Sequence, residues 1–166
     1  CRTWHKKSVW IKGKKMNYNV LGKTGVFVSE MCFGTMTFGT EADEAESTRM
    51  FHRCLDAGIN FFDCANNYSE GRAETILGKL IKACRDDVII TTKVSQRVGK
   101  DVNALGSSRR HIMQAIEQSL TRLNTDRIDL YFIHHFDPLT PMDETLRALD
   151  DVVRQGKVLY LGVSNW

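Results

Sequence analysis

The sequence predicts an α/β fold of the (β/α)8 TIM-barrel type, truncated here to an N-terminal hairpin plus about five strands and four helices. Three observations predict it. Short apolar runs of strand length alternate with longer segments of helical period from residue 31 onward. The apolar runs end on residues that carry chemistry: one on Asp63, one on Lys93 and one on His134. No G-x-G-x-x-G or phosphate-loop fingerprint follows any run, which disfavours a doubly wound sheet.

Spacing supports the parallel arrangement. Lys93 follows Asp63 by 30 residues and His134 follows Lys93 by 41, each interval room for one helix and its loops. Right-handed crossovers then bring successive strand ends side by side on one edge, roughly 4.8 Å apart.

Taken in order, residues 18–21 and 26–29 flank Gly22-Lys23-Thr24-Gly25, a hairpin signature that would close one end of a barrel. Residues 31–35 read as the first parallel strand, leading into Met36-Thr37-Phe38-Gly39, where small residues let a ligand approach the backbone. Residues 44–57 form a helix with Met50, Phe51, Cys54 and Leu55 on one face, stopped by Gly58. Residues 72–85 repeat the pattern through Ile76, Leu77, Leu80 and Ile81, and Asp86-Asp87 breaks it. A polar stretch, 94–107, has the length of a lid or binding loop. Ser107 or Ser108 caps a third helix striped by Ile112, Ala115, Ile116, Leu120 and Leu123. Thr140-Pro141-Met142-Asp143 opens a fourth with Thr140 as the cap, running through Leu146, Leu149, Val152 and Val153 to Gly156. Residues 157–163 are the fifth strand. A whole barrel takes about 250 residues. The 151 residues from Met16 to Trp166 hold five of its strands, so the chain is expected to be the N-terminal part of a larger barrel.

Composition is that of an ordinary globular domain, with 42% apolar and 26% charged residues. The net charge of +3 includes six cations and no acid within residues 1–15, which leaves −3 for the remainder. The folded part therefore offers no basic footprint for nucleic acid. Residues 1–15 read as a basic tail outside the fold, and residues 16–166 as the domain. Five cysteines without a CxxC pair suit free thiols in a cytoplasmic setting. No apolar run is long enough to span a bilayer.

The strand ends would gather a carboxylate (Asp63), a phenol (Tyr68), an ammonium (Lys93) and an imidazole (His134). A phenol is a weak acid, with a reference pKa of about 10, and a neighbouring ammonium stabilises its anion. Asp63 can fix Lys93 by an ion pair, leaving Tyr68 to donate a proton and His134 a hydrogen bond to one substrate oxygen. That suits protonation of a carbonyl oxygen while hydride from a cofactor reaches its carbon. Taken singly, Asp63 and Lys93 could be a structural ion pair, Tyr68 a packing residue and His134 a core side chain. Four at successive strand ends favour the catalytic reading. A metal site from His134, His135 and Asp137 is disfavoured, because adjacent strand residues point to opposite faces.

The stretches 63–74 (DCANNYSEGRAE), 91–94 (TTKV), 106–109 (GSSR), 128–134 (IDLYFIH) and 156–166 (GKVLYLGVSNW) resemble the aldo-keto reductase superfamily, with similarity running from about Met16 to Trp166. The resemblance implies a TIM-barrel oxidoreductase that uses NADPH (NADP+) to reduce aldehydes or ketones. Its catalytic tetrad falls on Asp63, Tyr68, Lys93 and His134. Its nicotinamide contacts fall on Gly34, Thr35, Met36, Asp63, Ser164 and Asn165. The Asn66-Asn67-Tyr68-Ser69 loop and residues 137–140 look most similar to bacterial-type reductases and the channel β-subunit branch. The family's adenosine 2′-phosphate contacts fall beyond Trp166, so this chain is expected to bind cofactor weakly and turn over little. A small-molecule carbonyl is the implied substrate, with neither nucleic acid nor membrane as partner. Two alternatives stay open: a non-enzymatic NADPH-binding regulatory subunit, and a Schiff-base aldolase using Lys93.

Overall fold

The computed structural model describes the backbone of residues 8–11 and 14–15, and residues 16–166 with their side chains. Two sheets result. Strands β1 (Ser8–Ile11), β2 (Lys14–Val20) and β3 (Phe27–Ser29) form an antiparallel sheet in the order β1-β2-β3. Strands β4 (Phe33–Gly34), β5 (Phe61–Asp63), β6 (Ile89–Val94), β7 (Ile128–Ile133) and β8 (Val158–Val163) form a parallel sheet in strict chain order. A doubly wound sheet reverses its strand order, whereas a barrel does not. The helices α1 (Glu44–Asp56), α2 (Arg72–Ile81), α3 (Arg109–Leu123) and α4 (Met142–Arg154) provide the four crossovers. The predicted hairpin, five strands and four helices are all present.

Strand pairing reaches into the segment expected to be a tail. Ser8 to Ile11 pair with Asn17 to Lys14, as the strand-forming run Val9-Trp10-Ile11 allows. Residues 1–7 and 12–13, with Cys1 among them, lie outside the described residues. The hairpin is fastened to the start of β5. The Tyr18 hydroxyl donates to the Gly58 carbonyl (2.7 Å), Ser29 N–H to Asn60 Oδ1 (2.7 Å), and Asn60 Nδ2 to the Phe27 carbonyl (3.1 Å). It thus closes the N-terminal end of the parallel sheet, opposite the edge that carries Asp63.

Between sheet and helices lies the core, where Phe38, Phe51, Phe62, Leu77, Ile90, Ile116 and Tyr131 are fully buried. Phe51 of α1 packs on Phe62 of β5 with ring centroids 4.8 Å apart. The apolar stripes meet the core as predicted in α1, α2 and α3. In α4 the buried positions are Thr145, Ala148, Leu149 and Val152, while Leu146 is exposed. The stripe follows the i, i+3, i+4, i+7 spacing from Thr145, which leaves Leu146 rotated off it.

Three boundaries differ from the expectation, and one open choice between two caps is decided. The first parallel strand pairs only at Phe33 and Gly34, not across 31–35. Helix α2 stops at Ile81, because Arg85 is drawn instead to Asp129 Oδ2 (2.8 Å), Thr125 Oγ1 (2.9 Å) and the Val88 and Arg127 carbonyls. Of the two serines proposed to cap α3, Ser108 does so, accepting from His111 N–H at 3.3 Å. Thr140 does not cap α4. Its hydroxyl donates to Asp137 (2.7 Å), and Pro141 occupies the cap position without a side-chain bond.

Gly78 lets α2 and α3 come close: a Cβ there would lie 2.6 Å from the backbone of Arg122 and Leu123. Helix propensity alone favours alanine over glycine by about 1 kcal/mol. We expect Gly78→Ala to destabilise nevertheless, by about 1–3 kcal/mol, because backbone cannot yield as a side chain can. Urea denaturation of the two proteins checks the sign.

Candidate active site

Each strand delivers its residue by period-two alternation. Phe62 turns into the helix-facing core, so Asp63 turns the other way at the sheet's C-terminal edge. On β6, Thr92 faces the helices while Thr91 and Lys93 share the opposite face with Asp63. Lys93 Nζ donates to both Asp63 oxygens, at 2.7 and 2.6 Å, and to the Cys64 carbonyl at 2.8 Å. Thr91 Oγ1 adds a bond to Asp63 Oδ1 at 2.6 Å. Lys93 is 7% exposed, and all three of its ammonium protons have acceptors nearby.

Tyr68 opens a 3-10 turn, Tyr68–Gly71, that leads directly into α2. Ser69, Glu70 and Gly71 in succession take positive φ (51°, 55° and 88°), and Ser69 Oγ donates to the Phe38 carbonyl at 2.6 Å. This turn places the phenol oxygen 3.4 Å from Lys93 Nζ. The ring centroid is 5.1 Å away, so the ammonium sits toward the hydroxyl end rather than close over the ring.

His134 is the first residue after β7, and its N–H donates to the Val94 carbonyl at 2.8 Å. The imidazole stands edge-on to Tyr68, 6.0 Å between centroids, and stacks on His135 at 4.9 Å. The stacking corrects the expectation that the two histidines diverge: the strand ends at Ile133, so alternation no longer governs them. Burial first, then the Lys93 ammonium and His135, bring the His134 pKa down to about 4 against the opposing pull of Asp63. The neutral ring can donate a hydrogen bond without adding charge. Asp63, Tyr68, Lys93 and His134 are thus gathered at one point.

The residues expected to touch a nicotinamide lie along the same edge. Gly34 pairs with Asp63, and Thr35 N–H and Oγ1 both donate to the Asp63 carbonyl at 2.9 and 3.0 Å. Nothing lies within 4 Å of where a Gly34 side chain would begin, leaving the backbone open to a ligand. Met36 is 63% exposed. Ser164 N–H donates to the Ile133 carbonyl, and Asn165 Nδ2 to the His134 carbonyl at 3.1 Å. An open glycine backbone, an exposed apolar side chain and a carboxamide beside Asp63, Tyr68, Lys93 and His134 fit a planar amide-bearing ring.

Two contributors escaped the sequence reading. Thr91, two residues before Lys93 on the same face, was legible from alternation alone. The Cys64 carbonyl carries no side-chain signal. The stretch 94–107 does lie at this edge, where Asp137 accepts from Ser107 N–H (2.8 Å) and Thr140, joining the loops after β6 and β7. Beside that junction a cleft of about 290 Å³ is lined by Ser95, Leu105, His135, Phe136 and Leu139. Among the described residues no group of three His, Cys, Asp or Glu could hold a metal ion, and no helix is long and apolar enough to cross a membrane.

Because the folded His134 binds its proton less readily than the unfolded residue, acid favours unfolding through it. Its contribution is intact above pH 6.5 and is lost as the pH falls toward 4. Imidazole titration by NMR is expected to give His134 a midpoint near 4. A midpoint near 6.5 would contradict the desolvated site.

Comparison with known proteins gives a consistent result. The chain matches the Aldo/keto reductase family over residues 30–166. It is 39% identical over 155 residues to a "Probable voltage-gated potassium channel subunit beta" of Oryza sativa subsp. japonica, covering 91% of this chain and 47% of that protein. It is 41% identical over 162 residues to the "Uncharacterized oxidoreductase YrpG" of Bacillus subtilis, covering 91% and 50%. Among solved structures, the aldo-keto reductase AKR11C1 from Bacillus halodurans in its holo form superposes with a TM-score of 0.83 at 36% identity, covering 90% of this chain and 50% of that one. The chain spans about half the length of the curated relatives it matches. With the matched family covering 30–166 and the parallel sheet in barrel order, this chain belongs to the aldo/keto reductase family.

Proposed function

We propose that this chain carries the reaction centre of an NADPH-dependent reductase of aldehydes and ketones. The observation that carries the reading is the 3.4 Å approach of the Tyr68 hydroxyl to a Lys93 ammonium already held by Asp63. Tyr68 donates its proton to the carbonyl oxygen as the carbonyl carbon is reduced, and Lys93 stabilises the phenolate left behind. His134, neutral at physiological pH, donates a hydrogen bond to the same oxygen and orients the carbonyl. Gly34, Thr35, Met36, Asp63, Ser164 and Asn165 would hold the nicotinamide end of the cofactor. When bound, that ring supplies the hydride. We assign the 2′-phosphate preference, NADPH over NADH, by family likeness alone.

The Schiff-base alternative is disfavoured by the same geometry. An amine that attacks a carbonyl must be deprotonated and free, whereas Lys93 Nζ is tied to two carboxylate oxygens and a backbone carbonyl. A second reading has specific support: the rice relative bears the name of a potassium channel β subunit, which favours a chain that serves a channel partner, the non-enzymatic alternative. Four described cysteines are free, and burial pushes the Cys64 thiol up to about 12, so it stays protonated and unreactive. These thiols favour a reducing compartment, and we place the protein in the cytoplasm.

We expect the purified chain, with saturating NADPH and a reactive aromatic aldehyde, to oxidise NADPH slowly. Tyr68→Phe should reduce that rate by about 10²–10⁴ while leaving NADPH fluorescence on binding unchanged. Cofactor binding without oxidation across a panel of aldehydes and ketones would instead support the regulatory reading.

A further inference from the structure

Behind the sheet from the four reacting groups lies a second charged cluster that the proposed chemistry does not use. Glu74, in the first turn of α2, is fully buried. Its Oε1 accepts from Thr92 Oγ1 at 2.6 Å, and its Oε2 from Arg122 Nε of α3 at 2.6 Å. Beside them the hydroxyl of fully buried Tyr131 has no hydrogen-bond partner and lies within the field of both charges. The stem of Arg122 runs beneath Gly71: a Cβ on that glycine would stand 2.8 Å from Arg122 Cδ and 2.9 Å from Nε.

The elements joined here are the ones whose separation matters. Thr92 precedes Lys93, and period-two alternation sends one to the helices and the other to the reacting centre. Gly71 ends the turn that begins with Tyr68, and Glu74 lies one turn into the helix that follows. Ser69 and Glu70 hold left-handed backbone that non-glycine residues seldom adopt, and such a turn persists only where its surroundings over-determine it. The Ser69 bond to the Phe38 carbonyl fixes one side. On the other side the Arg122 stem lies beneath Gly71, held there by its bond to Glu74.

We propose that Glu74 and Arg122 are positioning residues for the reaction centre: by binding the start of α2 to β6 at Thr92 and to α3, they set the distance between the Tyr68 hydroxyl and the Lys93 ammonium. The inference deepens the reductase reading and rests on it for the roles of Tyr68 and Lys93. Neither Glu74 nor Arg122 touches substrate or cofactor. A purely structural pair would affect stability and leave the tyrosine's environment alone, and that difference is measurable.

The experiment uses the 166-residue chain with all four tyrosines labelled with ¹³C at Cζ. The Tyr68 resonance is assigned by its loss in Tyr68→Phe, and its position without the ammonium is given by Lys93→Met. The test protein is the double variant Glu74→Leu with Arg122→Met, which removes the buried carboxylate and its half-buried guanidinium together and so leaves neither charge unpaired. We expect it to stay folded, with Tyr18 and Tyr160 resonances unmoved and the Tyr68 resonance shifted toward its position in Lys93→Met. Should the double variant not fold, Thr92→Val cuts the link to β6 alone and is expected to give the same shift. A Tyr68 resonance unchanged from the parent, while that of neighbouring Tyr131 moves, would overturn the proposal. Turnover is a separate arm, with kcat for an aldehyde expected to fall by about 10- to 100-fold and KM to change little. An inactive parent chain would count against the reductase reading, and the resonance comparison would still decide the positioning role.

Discussion

The ion pair between Lys93 and Asp63 is the constraint on which the rest depends. Its 2.6 Å contact bridges adjacent strands at the open edge of the sheet, in a place where Lys93 is nearly dry. A nearly buried ammonium needs a compensating carboxylate, and Asp63 supplies it. Because the Cys64 carbonyl and Thr91 complete the hydrogen bonding around it, the pair has one geometry. The next group the ammonium approaches is the Tyr68 hydroxyl, at 3.4 Å.

That geometry depends on the sheet being parallel and singly wound. Each crossover returns the chain in the same direction, so the C-terminal ends of β5, β6 and β7 fall in a row and loop residues converge there. The hairpin β2–β3 is bound to Gly58 and Asn60 at the opposite end, leaving the edge that carries Asp63 uncovered by it. Charge is distributed on the same plan. The Arg85–Asp129 pair fastens the N-terminal side of β6 and β7, the Glu74–Arg122 pair fastens the helices, and of these three pairs Lys93–Asp63 faces the open edge.

How His134 differs from an ordinary histidine follows from this arrangement. It lies where burial and a fixed cation both disfavour a second positive charge, and the stacked ring of His135 adds to the effect. The neutral form prevails at physiological pH, which keeps an uncharged ring beside the phenol.

Much of this was legible in the chain itself. Apolar runs alternating with helical periods specified β5 to β8 and the four helices, since burial of one face forces those periods on any sequence that folds this way. The spacing of Asp63, Lys93 and His134 specified that they share an edge, because parallel strands joined by helices must end together. Other features depended on contacts distant in sequence. Thr140 has the composition of a cap, yet Asp137 takes its hydroxyl, while α2 ends early because Asp129 holds Arg85. The histidines stack because β7 stops one residue short of them, and Glu74 looks like any helix-start acid until Thr92 and Arg122 close around it. The sequence by itself determined periodicity, order and residue type, which are local properties of the backbone and its side chains. Only the tertiary structure decided which partner each polar group takes, because that choice is a competition among donors and acceptors brought near one another by packing.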